Sequence, residues 1–229
     1  MFGVRYDHSI KVNEKMLREL NEAEQREQNL ELQLLKSQIR PHFINNALNA
    51  VISISRTDSD KARKLLVEFS KYLRNCYGVK NLDDQVPIEN ELSFVRSYVA
   101  LEQARFPDTL HVAYDIDSIF LMVPPLSLQP LVENAILHGV REKFGDGQVR
   151  IYVKDCGSYV KVGVSDNGIG IAPELLASTL LNEHQGTGIG IYNINQRMKK
   201  LYHTGLHLEN RPEGGMNAYI VVPKEGESC

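Results

Sequence analysis

The hydrophobic period of this chain changes at about Thr109, and that change constrains the fold more than any other feature. Before it, apolar residues recur at helical spacing, as in Ala62, Leu65, Leu66, Phe69 and Leu73. After it, apolar and polar residues alternate, as in Leu110, Val112, Tyr114 and Ile116, which is the period of a strand. The chain is therefore predicted to be α+β, with helices first, an α/β layer second, and a boundary near Asp108.

The first 40 residues are predicted to form one long polar helix. Residues 9–38 contain neither Gly nor Pro and are rich in Glu, Gln, Leu, Lys and Arg. A lone helix this polar is not stable in water, so we expect it to pair with another helix, most simply that of a second copy of the chain.

Pro41 predicts a kink in the helical run that continues from this first helix. Further helices are predicted to begin near Asp58, where that residue or Ser59 is the cap, and at Pro87.

The second half is predicted to alternate strands with helices. After the strand at 110–116 we expect a helix at 126–139 and a hairpin of strands at 148–154 and 159–165. A short helix near 173–181, a longer helix at 188–202 and a final hairpin at 207–210 and 218–223 complete the prediction.

Charge and hydropathy argue against two function classes, nucleic-acid binding over the whole surface and a membrane span within this sequence. Lys and Arg total 26 against 29 Asp and Glu, a net charge of −3, so no excess of positive charge favours nucleic acid. No apolar run approaches the roughly 20 residues of a membrane-spanning helix, so any membrane attachment would need a region outside this sequence.

Three short clusters in the second half carry groups suited to nucleotide chemistry. In LVENAILHG at 131–139, Asn134 and His138 lie four residues apart on one predicted helix face. An amide oxygen can coordinate Mg²⁺, and a side-chain donor one turn away can reach a phosphate oxygen. If this pair stood alone, local hydrogen bonds would be the better explanation for it.

The other two clusters are rich in glycine. DNGIG at 166–170 follows a predicted strand, where a carboxylate can accept a hydrogen bond from an exocyclic amine. GTGIGI at 186–191 opens a predicted helix, whose free N–H groups attract phosphates. A glycine-rich surface turn is the alternative for the first of these clusters.

In this order the three clusters resemble the N, G1 and G2 boxes of the GHKL ATPases, the group of gyrase, Hsp90, histidine kinases and MutL. The resemblance implies a Bergerat α/β sandwich that binds ATP, with Mg²⁺ on Asn134, the adenine amino group on Asp166, and a mobile lid at 171–185. The other nucleotide-binding residues that it implies are His138, Gly168, Gly170, Gly186, Thr187, Gly188 and Gly190.

The helical half resembles one subfamily of these ATPases, the LytS/YehU-type sensor histidine kinases. The motif QIRPHFINNALN at 38–49 is similar to their phosphoacceptor signature, although Ile44 and Asn45 replace the usual Leu-Phe. ELSFVRSYVALEQARF at 91–106 is similar to their linker to the ATPase domain. The resemblance implies that His42 accepts the γ-phosphoryl group of ATP and passes it to an Asp of a response regulator.

The residue types around His42 suit this role. A neutral imidazole is a nucleophile at neutral pH, and Asn46 lies one helical turn onward, where it could orient the ring. Many other histidine kinases place an acidic residue directly after the histidine, but here that residue is Phe43. The group that polarises His42 is therefore left open.

The sequence is predicted to contain a signalling helix at 1–40, a helical dimerisation and phosphotransfer region at 41–107, and an ATP-binding domain at 108–229. The resemblance implies a homodimer, a LytTR-type response regulator as partner, and a cytoplasmic catalytic portion cut from a longer bacterial membrane sensor. Two alternatives remain: a GHKL ATPase or serine kinase that does not use His42, and a non-catalytic dimeric scaffold.

Overall fold

The computed structural model describes residues 41–78, 81, 84–140, 146–172, 176, 180 and 189–224. The predicted signalling helix, the kink before Pro41 and most of the short helix near 173–181 lie outside these residues. Gly186, Thr187 and Gly188 also lie outside them.

Three helices form the first part of the described chain: α1 (Pro41–Ser55), α2 (Ser59–Gly78) and α3 (Ile88–Arg105). Asp58 caps α2, because its Oδ1 accepts a hydrogen bond from the backbone N–H of Lys61 at 2.8 Å. The three helices meet at a cluster of aromatic rings with centroids 4.8 to 6.1 Å apart, made by Phe43, Tyr72, Phe94 and Tyr98. These rings fix α1 against α2 and α3.

A five-stranded sheet forms the second part. Its strands are β2 (Leu110–Ile116), β4 (Gly147–Asp155), β5 (Tyr159–Asp166), β6 (His207–Asn210) and β7 (Met216–Pro223), in the order β2-β4-β5-β7-β6. β2 and β4 are parallel, and the other neighbours are antiparallel. β1 (Val86–Pro87) and β3 (Met122–Val123) form a separate antiparallel pair that the sequence analysis did not predict.

Alternation along the strands separates the two faces of the sheet. Valines and isoleucines on one face, such as Ile151, Val162 and Ile220, are fully buried under the helices α4 (Gln129–Asn134) and α5 (Ile189–Tyr202). The opposite face carries polar side chains, including Arg150, Lys154 and Lys161. The result is the two-layer α/β sandwich that the sequence predicts, so the α+β fold class is confirmed.

The predicted helix at 126–139 is wrong in its bounds and in its type. The α-helix begins only at Gln129, because Leu126 has a left-handed backbone with φ of 57°. After Asn134 the chain continues as a π-helix over Ala135–Val140. The other predicted helices and strands that fall on described residues agree with the predictions to within two residues, except that Pro87 precedes α3 as its cap instead of lying in its first turn.

The two parts share one apolar core, in which α3 packs against α2 on one side and against α4 and β2 on the other. The boundary near Asp108, between α3 and β2, stays a prediction. Among the described helices, none has the length and apolar character needed to cross a bilayer.

Candidate functional site

Asp166 ends β5 as a buried carboxylate, and the turn that follows it folds around this side chain. Its Oδ1 accepts hydrogen bonds from the backbone N–H groups of Gly168 at 2.8 Å and Met216 at 3.3 Å. The backbone carbonyl of Asp166 accepts one from Arg211 Nη1 at 2.8 Å. The carboxylate is therefore held at the end of the strand with only 2% of its surface exposed.

Two glycines let the π-helix approach this turn. A Cβ on Gly168 would lie 2.2 Å from the carbonyl carbon and oxygen of Gly139, and a Cβ on Gly139 would lie 2.9 Å from the Asp166 carboxylate. Neither position has room for a side chain. The backbone of the π-helix therefore lies directly against the carboxylate and its turn.

The turn is closed on its other side by the β6–β7 hairpin. Asn210 Oδ1 accepts a hydrogen bond from the N–H of Ile171 at 3.0 Å, and Asn210 Nδ2 donates to the Ile171 carbonyl at 2.7 Å. Gly170 has a φ of 71°, and Gly215, with a φ of 89°, packs against the Asp166 carbonyl. The chain thus leaves the turn in a fixed direction at Ile171.

Asn134 and His138 are both half-exposed and lie on either side of the change from α-helix to π-helix. Asn134 is the last residue of α4, and His138 lies one residue before Gly139, which contacts the Asp166 turn. Gly190, at the start of α5, packs close to Pro130 of α4, where an added Cβ would lie 3.3 Å from the Pro130 Cβ. The two helices that carry the predicted site residues are therefore adjacent.

A buried carboxylate on α3 fixes the start of α4. Glu91 accepts hydrogen bonds from the backbone N–H groups of Leu126, Ser127 and Leu128 at 2.8, 2.9 and 3.0 Å. Arg197 of α5 donates to the carbonyls of Pro125 and Leu126 at 2.6 and 3.2 Å. These contacts hold Leu126 in its left-handed conformation and determine where α4 begins.

His42 is exposed in the first turn of α1. Asn46 Nδ2 lies 3.0 Å from its Nδ1 and 3.2 Å from its Nε2, so the amide can donate to whichever ring nitrogen is unprotonated. The neighbouring Phe43 is buried in the aromatic cluster. The backbone around His42 is thus anchored while the ring remains accessible.

A cavity of about 60 Å³ connects His42 with α4. It is lined by His42 and Phe43 of α1 and by side chains of α2 and α3. Glu133, which precedes Asn134 in α4, and Leu137 of the π-helix complete the lining. The structure therefore brings together Asp166, Gly168 and Gly139 at one place, and His42, Asn46 and the α4 helix at another.

The sequence pattern did not indicate the residues that position the site. Glu91 and Arg197 lie far apart along the chain, and no local spacing indicates that they act on the same backbone turn. Glu102 and Arg105, which line the His42 cavity, have a helical i, i+3 spacing that could have indicated an ion pair.

Two family models match the chain. The model described as histidine kinase matches residues 30–110, and the model described as histidine kinase-, DNA gyrase B- and HSP90-like ATPase matches residues 124–226. The chain belongs to the histidine kinases. The resemblance to LytS-type kinases and the expectation of an ATP-binding domain are confirmed.

Three relatives are similar to this chain over most of its length. It is 40% identical to the sensor protein LytS of Enterococcus faecalis over 220 residues, which are 91% of this chain and 37% of LytS. It is 44% identical to the sensor histidine kinase YpdA of Escherichia coli over 196 residues, 85% of this chain and 34% of YpdA. A Bacillus subtilis protein, YwpD, is 38% identical over 195 residues, 84% of this chain and 70% of YwpD. The chain thus spans about a third of the length of the two sensor proteins.

Proposed function

We propose that this kinase is the catalytic core of a two-component sensor, in which His42 accepts the γ-phosphoryl group of Mg·ATP and passes it to an Asp of a response regulator. The observation that carries the proposal is the cavity that His42 shares with Glu133, the residue before Asn134 in α4. The candidate phosphoacceptor thus lies beside the helix that carries a candidate Mg²⁺ ligand.

The described residues fit a bound nucleotide by the chemistry of their side chains. Asp166 supplies a buried carboxylate for the adenine amino group, and Asn134 supplies an amide oxygen suited to Mg²⁺. Gly139 and Gly168 carry no side chains, so the backbone of the π-helix can lie directly against this carboxylate and its turn. Gly170, His138 and Gly190 are proposed to complete the site, together with Gly186, Thr187 and Gly188 outside the described residues.

The transfer needs positioning more than covalent chemistry. A neutral His42 offers the lone pair of one ring nitrogen. The Asn46 amide orients the ring before the transfer and must release that nitrogen before it attacks phosphorus. As the nitrogen–phosphorus bond forms, the bond from the γ-phosphorus to the bridging oxygen breaks and its electron pair leaves on ADP. When bound, Mg²⁺ neutralises the negative charge on the phosphate oxygens.

The same proposal extends to the assembly of the protein. α1 and α2 expose large apolar side chains, including Ile52 at 56% and Val67 at 50%, which fit a helical interface with a second copy. We propose that residues 41–107 dimerise and carry His42, that residues 108–229 bind ATP, and that residues 1–40 transmit a signal. A LytTR-type regulator and an upstream membrane sensor region belong to the same proposal.

The test is incubation of the chain with γ-labelled ATP. We expect acid-labile, alkali-stable label in the wild type and its loss in His42→Gln and Asn134→Ala. His111→Gln is the matched control, because His111 is an exposed histidine on β2, and this variant keeps the label.

The alternatives give different results in the same assay. Label retained in His42→Gln would identify another acceptor, as in a serine kinase. ATP hydrolysis without label would indicate a GHKL ATPase, and a chain that binds no nucleotide would be a scaffold.

A further inference from the structure

Glu91 of α3 provides α4 with the cap that the residue before α4 does not provide. That residue is Leu128, which makes no side-chain capping hydrogen bond. Glu91 lies 35 to 37 residues earlier in the chain than the three backbone N–H groups that donate to its carboxylate, those of residues 126–128. It is only 4% exposed, so solvent competes little for these donors. The start of α4 is therefore fixed by a residue of another helix.

Arg197 of α5 holds the same turn, residues 125–128, from its other side. Its guanidinium donates to the carbonyls of Pro125 and Leu126, and the residue is only 7% exposed. Glu91 thus binds N–H groups of the turn, while Arg197 binds its carbonyl groups. A left-handed backbone is unfavourable for a leucine, so Leu126 depends on these contacts to keep its φ of 57°.

The 125–128 turn leads directly to the candidate nucleotide-binding residues. α4 follows it as a helix of six residues that ends at Asn134, about 9 Å further along the helix axis. α5 begins at Ile189, within the third predicted cluster, and its Gly190 lies close to Pro130 of α4. Because the turns of so short a helix move as a unit, a displacement at the start of α4 reaches Asn134.

We propose that Glu91 and Arg197 are positioning residues of the Mg·ATP site, which act by fixing the 125–128 turn and thereby the place of Asn134. The inference rests on the proposed role of Asn134 as a Mg²⁺ ligand. Glu91 belongs to α3, which also packs against α1 and α2. A shift of α3 relative to the α/β layer would thus change the affinity for Mg·ATP without altering any residue that contacts the nucleotide.

The test measures ADP binding to the whole chain by calorimetry, once with Mg²⁺ and once with EDTA. The ratio of the two affinities is the Mg²⁺-dependent gain. In Glu91→Gln an NH₂ group replaces one acceptor oxygen, so at least one N–H group of residues 126–128 loses its partner. We expect the gain to fall about 10-fold, as for other residues that orient a metal ligand, while the affinity in EDTA stays unchanged. A general loss of folding would lower both affinities.

Two further variants show whether Glu91 acts through Asn134. Glu89→Gln is the matched control and should bind ADP like the wild type, because Glu89 is an exposed carboxylate in the same turn of α3. Asn134→Ala should lose the gain, and adding Glu91→Gln to it should cause no further loss, since residues that act as a unit are not additive. Arg197→Lys keeps the charge but loses the planar fork that reaches both carbonyls, and we expect a smaller fall in the gain.

The strain at Leu126 supplies a rescue experiment. Glycine adopts a positive φ without strain, so Leu126→Gly in the Glu91→Gln background should raise the gain at least 3-fold. Leu126→Ala removes nearly as much of the side chain but leaves the strain, and it should give no rescue.

Four results would each overturn the inference. These are a wild-type gain in Glu91→Gln, equal losses with Mg²⁺ and with EDTA, a further loss when Glu91→Gln is added to Asn134→Ala, and equal effects of glycine and alanine at position 126. A wild-type gain in Asn134→Ala would instead reject the proposed role of Asn134, and with it that part of the proposed function.

Discussion

The close approach between Gly139 and Gly168 leads to a sharp prediction about Gly168→Ala. The added methyl group would lie 2.2 Å from the carbonyl carbon and oxygen of Gly139 and 2.5 Å from its Cα. All three atoms belong to the backbone, so no side-chain rotation can relieve the contact. The π-helix and the Asp166 turn must therefore move apart.

The structure sets the size of that movement. Cβ contacts shorter than 3.0 Å essentially never occur, so the separation must grow from 2.2 Å to at least 3.0 Å, a displacement of about 0.8 Å. Overpacking of this kind costs about 1–3 kcal/mol of folding free energy. A misplacement near 1 Å in a catalytic site lowers the rate on the order of 100-fold. For Gly168→Ala we therefore expect both this loss of folding free energy and this loss of reaction rate.

The assay combines thermal unfolding with autophosphorylation and nucleotide binding. Gly78→Ala is the matched control, because Gly78 lies in α2 and a Cβ there would meet nothing within 4 Å. That variant should be unchanged or about 0.4–1 kcal/mol more stable. If Gly168→Ala has the stability and the nucleotide affinity of the wild type, the backbone contact with Gly139 is not as close as described.

Two further predictions concern the helical part. Phe43→Ala should lower the free energy of unfolding by about 3–5 kcal/mol, because the Phe43 ring is buried between Tyr72 and Tyr98. Phe120→Ala is the control and should change the free energy of unfolding little, because Phe120 is 80% exposed. Chemical denaturation measures both values. Burial raises the pKa of Cys76 to about 12, so its thiolate is scarce at pH 8 and becomes more abundant as the pH rises. Iodoacetamide at pH 8 should therefore label the exposed Cys156 well before Cys76, as mass spectrometry of the native protein would show, and equal labelling would contradict this.

Hydrophobic period and local turn chemistry were sufficient to predict most of the fold. The alternation of valines along β4 and β5 predicted both strands to within one residue, because the valines of each strand face the buried side of the sheet. Asp58 predicted the start of α2, because capping depends on residues close in sequence. The resemblance then supplied the candidate site residues, whose individual roles stay predictions.

What the sequence did not reveal depends on contacts between distant residues. The helix at 126–139 looked regular, but Glu91 binds the N–H groups of residues 126–128 and delays its start to Gln129. The change to a π-helix after Asn134 has no signal in the local pattern. The cavity at His42 requires three helices and α4 to be in place before its lining can be known.

α3 connects the two candidate centres through two buried carboxylates. Glu91 in its first turn fixes the backbone that leads into α4, and Glu102 near its end lines the cavity at His42. A movement of α4 away from α3 would have to break the three hydrogen bonds to Glu91 and leave a buried carboxylate unsatisfied. The α/β layer therefore cannot separate from α1, α2 and α3 at this junction without a large cost in free energy.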